Sequence, residues 1–152
     1  MGFESRTPRN SATRFALVLD NSVMMHWLFD DGSTADRRYA AKVLDRLGER
    51  QGTVFAPYVW VYEAAYVVNF YVERGDMEKS AGLRHLESLH DLTSVISERQ
   101  SPAKLLEFSR AHGLSAYDSA YLLLARSLNL PIATLDRKMR RTASKLGIET
   151  FS

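Results

Sequence analysis

Residues 15 to 20, FALVLD, are an unbroken apolar run closed by an acid. A segment with no polar face cannot lie at a surface. It reads as a strand buried on both sides, as in the middle of a parallel sheet. Parallel neighbours are joined by right-handed crossovers, which pack as helices on the faces of the sheet. That one segment commits the chain to alternating strands and helices.

The remaining sequence supplies the alternation. NSVMMHWLFDD fits a short helix broken by Gly32 and Ser33. TADRRYAAKVLDRLGERQG puts Tyr39, Ala40, Val43, Leu44 and Leu47 on one helical face and closes near Gly48 or Gly52. A short strand, TVFA, leads to Pro57, which suits the first turn of a helix over 58–74 ended by Gly75. Residues 76–90 read as another helix and LTSVIS as a strand. SPAKLLEFSRAHG follows as a helix capped by Ser101, with Pro102 in its first turn and Gly113 past its end. Helix 115–129, strand PIATLD, helix 137–146 and a last strand, IETF, complete the order.

These elements predict an α/β fold, a three-layer sandwich with a central, mostly parallel sheet flanked by helices. At 152 residues the chain suits one domain that buries about two thirds of its surface. We assign residues 15–152 to that domain. The polar stretch MGFESRTPRNSATR (1–14) lacks the apolar core of a signal peptide and is expected to be a tail.

Composition narrows the chemistry. The chain has no cysteine, which excludes disulfide scaffolds, thiolate zinc sites and cysteine nucleophiles and fits a reducing, cytoplasmic setting. Any metal must be held by oxygen or imidazole. The longest apolar run, Tyr58 to Val72, is shorter than the roughly 20 residues that cross a bilayer, and Glu63 and Asn69 interrupt it. It is expected to be a buried helix rather than an anchor, with no membrane partner. A net charge of +2 decides nothing about a polyanionic partner.

In open α/β sheets the working site lies beyond the carboxyl ends of the strands. Asp20 ends the first strand and Asp136 a later one, so both should face one crevice. Each also has an ordinary structural reading as the cap of the next helix. Asp118 has one too, since Ser115 and Asp118 resemble a capping box. Glu63 is harder to dismiss, because its neighbours from 58 to 68 are aromatic or aliphatic all around the helix. A buried carboxylate needs a cation or a polar crevice.

Four acids in one cleft repel one another unless something neutralises them. A divalent cation does so, and Mg²⁺ is typically held by one or two carboxylates together with water and phosphate oxygens. The pattern points to phosphodiester chemistry.

The segments VLDNSVMMHW, Glu63 in its apolar helix, LSAYDSAYLLLARSLNLPIATLDRKM and ASKLGIETF resemble the PIN-domain ribonucleases, in particular the VapC-like toxins of toxin–antitoxin pairs. Tyr-Asp-x-x-Tyr followed by Thr-x-Asp is the most specific part. The resemblance implies a Mg²⁺- or Mn²⁺-dependent endoribonuclease that cuts single-stranded RNA, with Asp20, Glu63, Asp118 and Asp136 catalytic. It implies that Asp20, Asp118 and Asp136 surround the metal, with Asp20 and Asp118 as direct ligands, while Asp136 and Glu63 hold ligands or water in place. Ser22 and Thr134 would give polar support, although an ordinary helix-start hydroxyl and a β-branched strand residue explain them equally. A homodimer and a cognate antitoxin that blocks the cleft are implied too. Asn21 and Ser119 depart from the alanines common in the family, His26 from a lysine and Tyr66 from an asparagine.

Among weaker candidates, DRKMRR places cations directly after Asp136. Most charge runs are solvated faces, yet cations in a first turn oppose the helix dipole, so Arg137 and Lys138 are candidates for RNA-phosphate contact. The four histidines lack zinc spacing. Tyr58, Trp60, Tyr62, Tyr66, Phe70 and Tyr71 could stack bases, but so many aromatics in one helix read first as core or dimer contact. Two functions therefore stand side by side: a metal-dependent ribonuclease, and a non-catalytic module of the same fold that binds RNA or protein. DNA as substrate is not excluded.

Overall fold

The computed structural model describes residues 15–96 and 100–152. The expected N-terminal tail and the last residue of LTSVIS lie outside them. The described chain runs β1 (Ala16–Leu19), α1 (Asn21–Met25), α2 (Thr34–Arg50), β2 (Thr53–Pro57), α3 (Val59–Glu73) and α4 (Lys79–Leu92). It continues with β3 (Thr93–Ile96), α5 (Pro102–His112), α6 (Ala116–Leu128), β4 (Ile132–Ala133) and α7 (Arg137–Lys145).

The four strands form one parallel sheet in the order β3-β2-β1-β4, flanked by helices in three layers. Central β1 pairs Val18 with Phe55 on one side and Ile132 on the other. Leu17, Val18 and Leu19 are fully buried, each such side chain contributing roughly 1.5–3 kcal/mol. Strands β1, β2 and β3 progress in one direction, and the chain then returns to lay β4 on the far side of β1. The direction of winding reverses between β1 and β4, so a crevice opens beyond their carboxyl ends.

Several expectations are corrected locally. The IETF segment is no strand, because Thr150 makes an isolated parallel bridge to Ile132. Neighbouring β4 is two residues long and offers no ladder to extend. Pro57 closes β2 opposite Ile96 instead of opening α3, at a strand end where its missing N–H costs nothing. Helix α2 runs through Gly48 and stops at Gln51 in the left-handed region, φ 47°. Gly52 serves packing, since a Cβ there would fall 2.8 Å from Leu47 and 2.9 Å from Phe15.

The largest correction concerns α3, which is not a buried helix. It buries Trp60, Ala64 and Val68, one stripe at four-residue spacing. Tyr58, Tyr62, Tyr66 and Phe70 stand exposed on another face. Helix α3 rests on β2, α4 and α1 and so covers one side of itself, however apolar the rest. Among the described residues no helix is long and apolar enough to cross a membrane.

Candidate active site

Asp20 follows β1 directly, and its backbone N–H donates to Ala133 O at 3.0 Å, fixing it beside the end of β4. It occupies the N-cap position of α1, yet its side chain caps nothing. Its Oδ2 accepts from Ser22 Oγ at 2.5 Å and Thr134 Oγ1 at 2.7 Å. Oδ1 carries no hydrogen bond among the described residues. Burial raises the Asp20 pKa above its ordinary value of 3.8. The two hydroxyls oppose that rise, and the charges of Asp118 and Asp136 add to it.

Thr134 and Ser22 cross-link the two strand ends. The Thr134 hydroxyl accepts from the Asp136 N–H at 3.0 Å while donating to Asp20. Ser22 Oγ accepts from the Leu135 N–H at 3.2 Å while donating to the same carboxylate. Asp136, exposed at the crevice mouth, accepts from the Met139 N–H at 2.7 Å and caps α7. Its structural reading therefore holds, alongside its place in the cleft.

Asp118 lies in the first turn of α6, where Ser115 Oγ accepts from its N–H at 3.0 Å. Ser119, the departure beside it, is fully buried with its hydroxyl satisfied by Ser115 O at 2.7 Å and Ser109 Oγ at 2.9 Å. One turn along α6, Tyr121 donates to Glu63 Oε2 at 2.5 Å. Burial and the neighbouring Glu63 push the Tyr121 phenol far up, so it remains a donor at any ordinary pH. Glu63 is raised above 4.5 by burial, opposed by the Tyr121 hydrogen bond, and raised further by Asp20 and Asp118.

Asp20, Glu63, Asp118 and Asp136 all line one cleft of about 460 Å³, and Ser22 lines it with them. No lysine or arginine is among its lining residues. Like charges gathered without a counter-cation raise one another, as Asp20 and Glu63 register. Among the described residues no three His, Asp or Glu side chains are arranged as a complete metal-ligand set. Mg²⁺ asks for less, one or two carboxylates completed by water and substrate oxygens. The free Oδ1 of Asp20 and the surplus negative charge fit that thinner set.

The other candidates separate. Arg137 is exposed and makes no hydrogen bond or ion pair among the described residues. Lys138 donates to Gly113 O, tying α7 to the α5–α6 loop. His26 lines the cleft with Nδ1 3.8 Å from Asp31 Oδ1.

Sequence reasoning assigns no role to two participants, one of which, Tyr121, closes the Tyr-Asp-x-x-Tyr motif. Tyr121 sits three residues after Asp118, a spacing that puts both on one helical face. Asp31, a fifth carboxylate on the cleft wall, accepts from Tyr71 and precedes left-handed Gly32. An acid–glycine pair in a loop gives no comparable signal.

A family model of the PIN domain matches residues 17–145. No curated protein matches the chain. Among solved structures, PAE2754 from Pyrobaculum aerophilum is similar with a TM-score of 0.63 and 20% identity, over 84% of either chain. FitAcB from Neisseria gonorrhoeae has a TM-score of 0.53 and 16% identity over 90% of this chain and 96% of that one. A domain of a functionally unknown protein from Methanocaldococcus jannaschii has a TM-score of 0.52 and 20% identity, over 90% and 89%. Likeness at such identities speaks to the fold. The family match takes in Asp20, Glu63, Asp118 and Asp136, and the chain belongs to the PIN domain family, whose members are generally nucleases that use divalent metal ions.

Proposed function

We propose that the protein is a Mg²⁺- or Mn²⁺-dependent endoribonuclease that cleaves single-stranded RNA as the toxin of a toxin–antitoxin pair. One observation carries the reading: Asp20, Glu63, Asp118 and Asp136 come from four separate elements to one cleft with no lysine or arginine among its lining residues. Carboxylates with only structural duties have no reason to be gathered against their mutual repulsion.

A divalent cation bound there supplies the positive charge that polarises a phosphodiester and activates water. Asp20, through Oδ1, and Asp118 would hold it, with Asp136 beside them. The chain's own work is positional. Ser22 and Thr134 fix the plane of the Asp20 carboxylate. Tyr121 fixes Glu63, whose raised pKa brings it nearer the range where a group can exchange a proton with water. Arg137, exposed beside Asp136, stays the candidate for a phosphate contact, whereas Lys138 is already engaged with Gly113 and serves better to hold the α5–α6 loop.

A cognate antitoxin covering the cleft, a homodimer and a cytoplasmic setting belong to the same reading, supported by family likeness. Light scattering that finds only a 17.2 kDa particle would remove the dimer. The central test is calorimetric titration with Mg²⁺ or Mn²⁺ of wild type and Asp118→Asn, followed in the same samples by cleavage of a mixed cellular RNA pool. Binding and cleavage should both disappear in the variant. A wild type that neither binds nor cuts would favour a binding module, and unchanged cleavage by the variant would sink the site assignment.

A further inference from the structure

Helix α3 carries three stripes. Trp60, Ala64 and Val68 face the core, and Glu63, Val67 and Tyr71 line the acidic cleft. Tyr62 and Tyr66 lie on the exposed side, about 6 Å apart along the axis. With Tyr117 of α6 they border a second cleft of about 300 Å³, which shares Asn21, Glu63 and Val67 with the first. The three tyrosines are 66%, 74% and 61% exposed.

Tyr58 packs edge-on against Tyr62 at 5.9 Å and holds that ring. Tyr66 and Tyr117 make no hydrogen bond, ion pair or ring contact among the described residues. Asn21 stands between the two clefts, 8% exposed and with an Oδ1 that lacks a donor. Clustered exposed aromatic surface marks a contact site.

We propose that this groove is a nucleobase subsite of the acidic cleft, where an unstacked base of single-stranded RNA is received among Tyr62, Tyr66 and Tyr117. The proposal rests on the nuclease reading above. Glu63 walls both clefts, so a strand with a phosphodiester at the carboxylates places a neighbouring nucleotide in the groove. Glu63 is the one charged lining residue and no cation is present, so the groove suits an uncharged flat group and not a phosphate. Its volume lies at the low end of the roughly 300–1,000 Å³ of small-molecule sites. That admits a ring system more readily than a helix about 10–12 Å across. Phenol tips add hydrogen bonds to base edges, while the rings stack on any base.

The test compares steady-state cleavage of a single-stranded oligoribonucleotide by wild type, Tyr66→Ala, Tyr117→Ala and the two Tyr→Phe variants, with light scattering of each. Exposure at both positions keeps the variants folded. Each alanine variant should raise KM roughly 5- to 150-fold with kcat little changed. Phenylalanine should hold KM within about twofold, because the stacking face remains. Unchanged KM in both alanine variants overturns the subsite and leaves the nuclease standing. So does a changed particle mass with KM unchanged, which would give the face to a second copy. A wild type that cuts no RNA overturns the nuclease reading, and the subsite with it.

Discussion

The β1–α1 and β4–α7 connections share a pattern, a short buried strand followed by an aspartate at a helix N-cap, directly after β1 and, because the expected strand PIATLD stops at Ala133, three residues after β4. Their backbones agree as well, with φ/ψ of −73/144° at Asp20 and −72/117° at Asp136. The side chains do not. Asp136 turns back to cap its helix and stays exposed, while Asp20 leaves α1 uncapped and lies 7% exposed under two hydroxyl donors. The contrast shows that a carboxylate used for capping and one used for chemistry are set apart by neighbours two residues or a strand away. Ser22 and Thr134 divert Asp20, and nothing equivalent diverts Asp136.

Substitutions can break that contrast. The largest effect is expected from Asp20→Asn, which should lower metal-dependent RNA cleavage by a factor on the order of 10² or more. Circular dichroism should show the fold intact, and retained cleavage would move Asp20 out of the centre. Asp136→Ala comes next. It should cost about 1 kcal/mol in urea unfolding through loss of the cap, whereas Asp136→Asn, itself a good cap, should stay near wild type in stability. If the asparagine variant also keeps full cleavage, Asp136 is a cap and nothing more.

The smallest effect is a pH dependence. Folded-state pKa values raised above 3.8 for Asp20 and 4.5 for Glu63 favour the protonated forms in the folded chain. Their contribution is present below the ordinary values and lost as pH rises through the raised ones. Metal-free wild type should therefore lose thermal stability relative to Asp20→Asn as pH climbs from about 4. Parallel melting curves across that range would show Asp20 unperturbed.

Much of this was legible because it follows from patterns that physics restricts. FALVLD admits one kind of strand, and an acid at the end of such a strand has few places to point. Glu63 stood out as the one carboxylate among the apolar residues 58–68. What the sequence withheld was orientation. In α3 the Trp60 stripe and the Tyr62–Tyr66 stripe are both apolar or aromatic, so periodicity could not say that Trp60 goes in while Tyr62 and Tyr66 stay out. The role of Tyr121 was hidden, although the residue closes the Tyr-Asp-x-x-Tyr motif, because a tyrosine in an amphipathic helix reads as core until its hydroxyl is seen on Glu63. The IETF segment has strand propensity, but pairing depends on the neighbour, and β4 has only two residues to offer.

The Thr134 and Ser22 hydroxyls each receive a backbone N–H, from Asp136 and Leu135, so each must turn its own hydrogen toward Asp20 Oδ2. That oxygen is saturated, and a proton taken up by Asp20 goes to Oδ1. A cation held at Asp20 would use the same atom. Proton and cation would then compete for a single oxygen, so loading the centre would release any proton that Asp20 holds.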